Sequence, residues 1–161
     1  MRGERRQYGK RLSVPQKEGI RVETIITINW PVPEVYGFWR RLENLPLFMR
    51  HLESVTLLGA AQSRWRVRSL AGTILQWDAE VIEEKENQML SWRSLPGADV
   101  ESAGSVWFTP VPGGQGTIVR VLLKYQPPGG KAAAMVAKLF GEDAESEIEA
   151  DLKQLKSMLE R

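Results

Sequence analysis

From Lys131 to Arg161 the apolar residues Ala132, Met135, Val136, Leu139, Phe140, Ile148, Leu152, Leu155 and Leu159 recur at helical steps, which places them on one stripe of a helix. A stripe of that length has to be buried against another apolar surface. The middle of the chain supplies one. From Leu52 to Tyr125 the pattern changes to a period of two, the mark of strands with one buried face. The expected architecture is therefore α+β, a curved antiparallel sheet holding a long C-terminal helix.

At 161 residues, with 42% hydrophobic and 26% charged side chains, the chain is large enough to bury a core and reads as one domain over residues 20–161. It contains no cysteine, which excludes disulfides, thiolate nucleophiles and cysteine-ligated metal centres. No run of about eighteen apolar residues and no apolar signal core occurs, so a cytoplasmic location is expected. Residues 1–19 carry six basic and two acidic side chains, a net +4, and with +2 overall the remainder stands at −2. The basic pI belongs to the tail, so DNA is not an expected partner of the folded part. The tail itself reads as a disordered leader, or as a segment suited to peripheral contact with anionic lipid or RNA.

Val22, Thr24, Ile26 and Ile28 alternate with Glu23, Ile25 and Thr27, giving a first strand over Arg21–Asn29. Trp30-Pro31-Val32-Pro33 stops it and starts a helix over Glu34–Leu42. Asn44 is expected to cap a second short helix through Leu45–Met49. Six strands follow: Ser54–Leu58, Arg64–Leu70, Thr73–Glu83, Gln88–Leu95, Ser102–Pro110 and Thr117–Tyr125. Pro112-Gly113-Gly114-Gln115-Gly116 is a hairpin turn between the last two. Short turns between consecutive strands argue an antiparallel meander, with the helices segregated from it.

The order strand, two short helices, six strands, long helix is carried by "VETIITINWPVPEVYGFWRRLENLPLFMRHLESV", "WDAEVIEEKENQMLSWRS" and "GSVWFTPVPGGQGTIVRVLLKY". In these segments the chain resembles the SRPBCC superfamily of START-related helix-grip proteins over roughly Val22–Glu160. It looks most like the polyketide cyclase/dehydrase and coenzyme Q-binding branch. The resemblance implies a seven-stranded sheet wrapped around the C-terminal helix, a cavity between them, and a hydrophobic small molecule as partner: polyketide-like, isoprenoid quinone or lipid. A cyclase/dehydrase-type enzyme and an interaction module like the ribosome-associated members are alternatives. No catalytic motif of the family maps onto this chain residue by residue.

Cavity lining is expected from Phe38, Phe48, Trp65, Trp77, Trp92, Phe108, Val121, Met135, Leu139 and Phe140, the same residues that would otherwise form a plain core. His51 is the single histidine, and with Glu53 two positions on it could form an acid–base pair. Asp78 and Arg93 are further proton-transfer candidates, although strand parity puts Asp78 and Glu80 on the outer face, opposite Arg64, Arg66 or Arg68. One histidine with scattered carboxylates makes a poor transition-metal site, so no metal and no cofactor are expected. The acidic run Glu142, Asp143, Glu145, Glu147, Glu149 and Asp151 reads as a solvated helix face.

Overall fold

A computed structural model describes residues 20–68, 72, 74–98, 100–126 and 144–161. In it β1 (Ile20–Ile28) leads through α1 (Val32–Arg40) and a 3₁₀ helix (Leu42–Leu47) into β2 (Leu52–Leu57). Then come β3 (Gln62–Arg68), β4 (Ile74–Lys85), β5 (Met89–Ser94), β6 (Glu101–Pro110) and β7 (Thr117–Gln126). A helix, α2 (Ala144–Leu159), ends the described chain. The residues upstream of it in the expected long helix, and the tail 1–19, lie outside the described residues.

The seven strands form one antiparallel sheet in the order β1-β7-β6-β5-β4-β3-β2. β1 and β2 are consecutive in the chain yet sit at opposite edges, so α1 and the 3₁₀ helix carry the chain across the sheet. α1 packs on β6, and the 3₁₀ helix packs on β2. Register shifts at Leu52/Ser54 and Val81/Glu83 mark bulges, which add local bend and twist and curl the sheet. Alternation sorts the faces as expected. Val22 and Ile28 are buried while Ile25 is 60% exposed. Trp77 and Ala79 face the core, and Asp78 lies outside with Arg64.

The 3₁₀ helix departs from the expected second helix. It begins at Leu42, so Asn44 lies inside it rather than capping it, and the Asn44 amide donates to the Phe38 carbonyl at 2.9 Å. That bond satisfies a carbonyl near the end of α1, one of the groups that a helix terminus leaves without an internal partner.

α2 lies against β1 and buries Ile148, Leu152, Leu155 and Leu159. Its C-terminal end is clasped to the end of β1. Lys156 Nζ donates to the Thr27 carbonyl at 2.9 Å, and the Asn29 backbone N–H donates to Glu160 at 2.6 Å. Leu152→Ala should therefore destabilise the protein by about 2–5 kcal/mol, against less than about 0.5 for the adjacent exposed Lys153→Ala. Urea denaturation of both variants checks this; equal, small losses would mean that the helix is not docked.

Candidate ligand-binding site

Strand parity places Ser63, Trp65 and Val67 of β3 and Leu75, Trp77 and Ala79 of β4 on the concave face, with Trp65 directly opposite Trp77. Trp92 of β5 and Tyr125 of β7 join them. Trp65 stacks near-parallel with Trp77 and with Trp92, centroids 6.3 and 6.0 Å apart at interplanar angles of 20° and 26°. Trp77 meets Tyr125 edge-on at 6.1 Å, and Tyr125 meets His51 edge-on at 6.3 Å. The result is one continuous aromatic row, Trp92–Trp65–Trp77–Tyr125–His51. A glycine makes its far end possible. Gly104 faces Trp92 across β5 and β6, and a Cβ there would come within 2.3 Å of Trp92 Cζ2.

The row ends in polar groups. His51 Nε2 lies 3.5 Å from the Tyr125 hydroxyl. Burial and the Arg50 charge push the imidazole pKa down to about 4, so it is neutral at pH 7. Burial and the nearby Asp151 raise the phenol of Tyr125, which stays protonated. The Asp151 side chain is only 2% exposed and accepts from Arg50 Nε at 2.9 Å. Burial raises its pKa, and Arg50 opposes the rise. Arg50 also reaches Glu147 at 3.1 Å. The acidic run is thus not uniformly a solvated face. Asp151 sits between Ile148 and Leu152 within the inward stripe, because residues three and four apart share a helix face.

The expected site residues separate into three groups. Trp65, Trp77 and Trp92 belong to the row. Phe38, Phe48 and Phe108 instead form a roof cluster with Tyr36 and Trp39: Phe48 lies 5.3 Å from Trp39 and 6.3 Å from Phe38, and Phe108 lies 5.5 Å from Tyr36. Val121 is buried on β7, on the same face as Tyr125. Met135, Leu139 and Phe140 lie outside the described residues.

The remaining proton-transfer candidates are on the other side of the sheet. Glu53 is bound by Arg66 and Arg68, not by His51. Asp78 is bidentate with Arg64 at 2.8 and 3.1 Å, and Arg93 pairs with Glu80 at 3.3 Å. Their arginine partners lower the pKa of Glu53 and Asp78. The physical reason is the pleat, which sends alternate side chains to opposite faces. Tyr125, Arg50 and Asp151 were not anticipated. For Tyr125 the signal was its parity with Val119, Val121 and Leu123, and for Asp151 its place in the helical stripe. Among the described residues no three His, Asp or Glu side chains converge on a metal-sized site, and no helix is long and apolar enough to cross a membrane.

A curled sheet packed against a C-terminal helix, with an aromatic row on the concave face, defines a helix-grip protein of the START type. The chain belongs to the polyketide cyclase/dehydrase and lipid transport family, whose model matches residues 28–153. A solved structure from Deinococcus radiodurans is 36% identical, with a TM-score of 0.71, covering 88% of this chain and 97% of that one. One from Thermus thermophilus is 26% identical, with a TM-score of 0.68, covering 86% and 95%. An aromatase/cyclase from a Streptomyces species shares the fold at 17% identity, with a TM-score of 0.66 over 89% of this chain and 94% of that one. An uncharacterized 17.2 kDa protein of Streptomyces lincolnensis is 31% identical over 88 residues, 55% of this chain and 57% of the relative. The match thus spans just over half the length of that curated relative.

His51 gives the site a measurable signature. Its folded-state pKa lies below the value of about 6.5 in the unfolded chain, so between pH 6.5 and about 4 the unfolded state binds more protons. The stability contributed by neutral, half-buried His51 is complete above that window and is lost as pH falls through it, at no more than about 1.4 kcal/mol per pH unit. Relative to wild type, His51→Gln should flatten the curve of unfolding free energy against pH between 4 and 6.5. Parallel curves for the two proteins would contradict the assigned environment.

Proposed function

We propose that the protein binds a hydrophobic, ring-bearing small molecule between the concave face of the sheet and the C-terminal helical region, with its rings along the tryptophan row. The observation that carries this reading is the continuity of Trp92, Trp65, Trp77, Tyr125 and His51. An apolar body with a polar end is the usual composition of a small-molecule site. Apolar burial contributes about 25 cal/mol per Å² before ordering costs, and well-placed aromatic pairs add about 0.5–1.5 kcal/mol each. The family's cyclase and lipid-transport members, and the aromatase/cyclase that shares the fold, support the same class of ligand.

The neighbouring His51 and Tyr125 favour a second reading, an enzyme that closes a ring on a polyketide-like chain. Intramolecular aldol closure takes a proton from a methylene flanked by carbonyls. The resulting carbanion forms the new carbon–carbon bond, and the attacked carbonyl oxygen receives a proton. Loss of water then leaves a double bond. His51, neutral at pH 7, would accept the first proton, and the protonated phenol of Tyr125 would supply the second.

Native mass spectrometry of the purified protein, followed by denaturing extraction, tests the binding reading. The expected result is an apolar, ring-containing molecule that is retained by the native protein and released on unfolding. An apo mass that persists when the protein is supplied with lipid extract and aromatic polyketides would contradict it. In the enzyme reading His51→Gln and Tyr125→Phe abolish ring closure while retention of the molecule persists; in the carrier reading neither protein turns it over.

A further inference from the structure

Two buried indole N–H groups, those of Trp39 and Trp77, have no hydrogen-bond partner among the described residues. Native proteins leave few such donors unpaired, because each forfeits the hydrogen bond it makes in water. The two settings differ. Trp39 lies in the roof cluster, with Phe48 and Phe108 centroids at 5.3 and 6.3 Å. Trp77 lies in the middle of the concave row, between Trp65 and the polar end at Tyr125 and His51.

Its stacked neighbour shows how an indole is satisfied on this face. Trp65 Nε1 donates at 2.8 Å to Ser63 Oγ, two positions earlier on the same side of β3. At the matching positions of β4, Trp77 has Leu75 and Ala79, neither of which offers a side-chain acceptor. Trp77 itself is only 3% exposed. Its acceptor has to come from outside its own strand.

The surrounding charges select the kind of acceptor. Arg50 already serves both Asp151 and Glu147, and Asp151 is near enough to Tyr125 to act on its phenol. An anionic ligand at this end would add a negative charge beside two carboxylates that share one guanidinium. Asp151 is the buried one of the two, and repulsion between like charges is strongest where solvation is poor. A neutral oxygen needs no counter-ion and still completes the hydrogen bond.

Building on the binding reading above, we infer that Trp77 is the specificity-determining residue of the concave face, its indole N–H donating to a neutral oxygen, such as a ring ketone, on the bound aromatic molecule. The N–H lies in the plane of the indole, so the oxygen sits at the edge of the Trp77 ring rather than over its face. An aromatic hydrocarbon fills the same space but leaves the donor unpaired.

Fluorene and fluorenone, flat tricycles that differ by one carbonyl oxygen, test this. Quenching of intrinsic tryptophan fluorescence gives both dissociation constants, and nitrogen-labelled indole resonances show which N–H responds. Wild-type protein should bind fluorenone roughly tenfold more tightly than fluorene, the size expected when a buried donor gains its acceptor. The Trp77 indole resonance should shift with fluorenone and much less with fluorene, and Trp77→Phe should bring the two affinities together. If Trp77→Phe does not fold, the wild-type ratio and the indole shift decide the matter. Equal wild-type affinities, or a preference that survives in Trp77→Phe, would overturn the role of Trp77 and leave the binding reading intact. Failure of both tricycles to bind would overturn both.

Discussion

The rest of the structure depends on the pairing of β7 with β1, an unbroken antiparallel register from Ile20 opposite Tyr125 to Ile28 opposite Thr117. It joins the last strand of the meander to the first strand of the chain, although about ninety residues separate them. Because β2 starts at the far edge of the sheet, α1 and the 3₁₀ helix must cross to reach it. The same pairing provides the strand on which α2 lies and supplies both halves of the clasp at Thr27 and Asn29. It also sets the parity that turns Val119, Val121, Leu123 and Tyr125 inward. A one-residue slip would send Tyr125 to the opposite face, away from His51.

The two faces of the sheet do different physical work. Outside, arginines and carboxylates pair across strands, as in Arg64 with Asp78 and Arg120 with Glu23. Such exposed pairs contribute little stability individually, typically about 0–1 kcal/mol, and mainly keep that face solvated. Inside, large rings are packed with few polar partners. The titratable groups there, His51, Tyr125 and Asp151, gather around one end of the aromatic row. Burial there holds His51 neutral and Tyr125 protonated. The concave face is therefore directional, with indole rings from Trp92 to Trp77 and titratable groups at the Tyr125–His51 end.

Strand parity and turn residues revealed most of this architecture in advance, because a period of two is a local property that pleating converts directly into faces. It correctly placed Trp65 and Trp77 inward and Asp78 outward. It could not bring His51 to Tyr125, 74 residues away, because that contact depends on sheet order and curl rather than on spacing. Asp151 was misjudged for a related reason. An acidic run looks solvated as composition, whereas helical phase puts Asp151 beside Ile148 and Leu152, and Arg50 on a distant segment offsets the cost of its burial. Asn44 was read as a cap for the helix after it and instead completes the helix before it. The roof aromatics were recognised as large and inward, but their separation from the tryptophan row follows from packing of α1 on β6, which no single segment records.

If the concave aromatic row is a ligand surface and not simply the interior of the protein, a small aromatic probe should seat on it. Crystals soaked with 2-bromonaphthalene, followed by an anomalous difference map at the bromine edge, address it directly. A ligand surface there predicts bromine density beside Trp65, Trp77 and Trp92, on the side of the sheet that faces the C-terminal helix. Density confined to the convex face, or none at saturating probe while the tryptophan side chains close on one another, would contradict it.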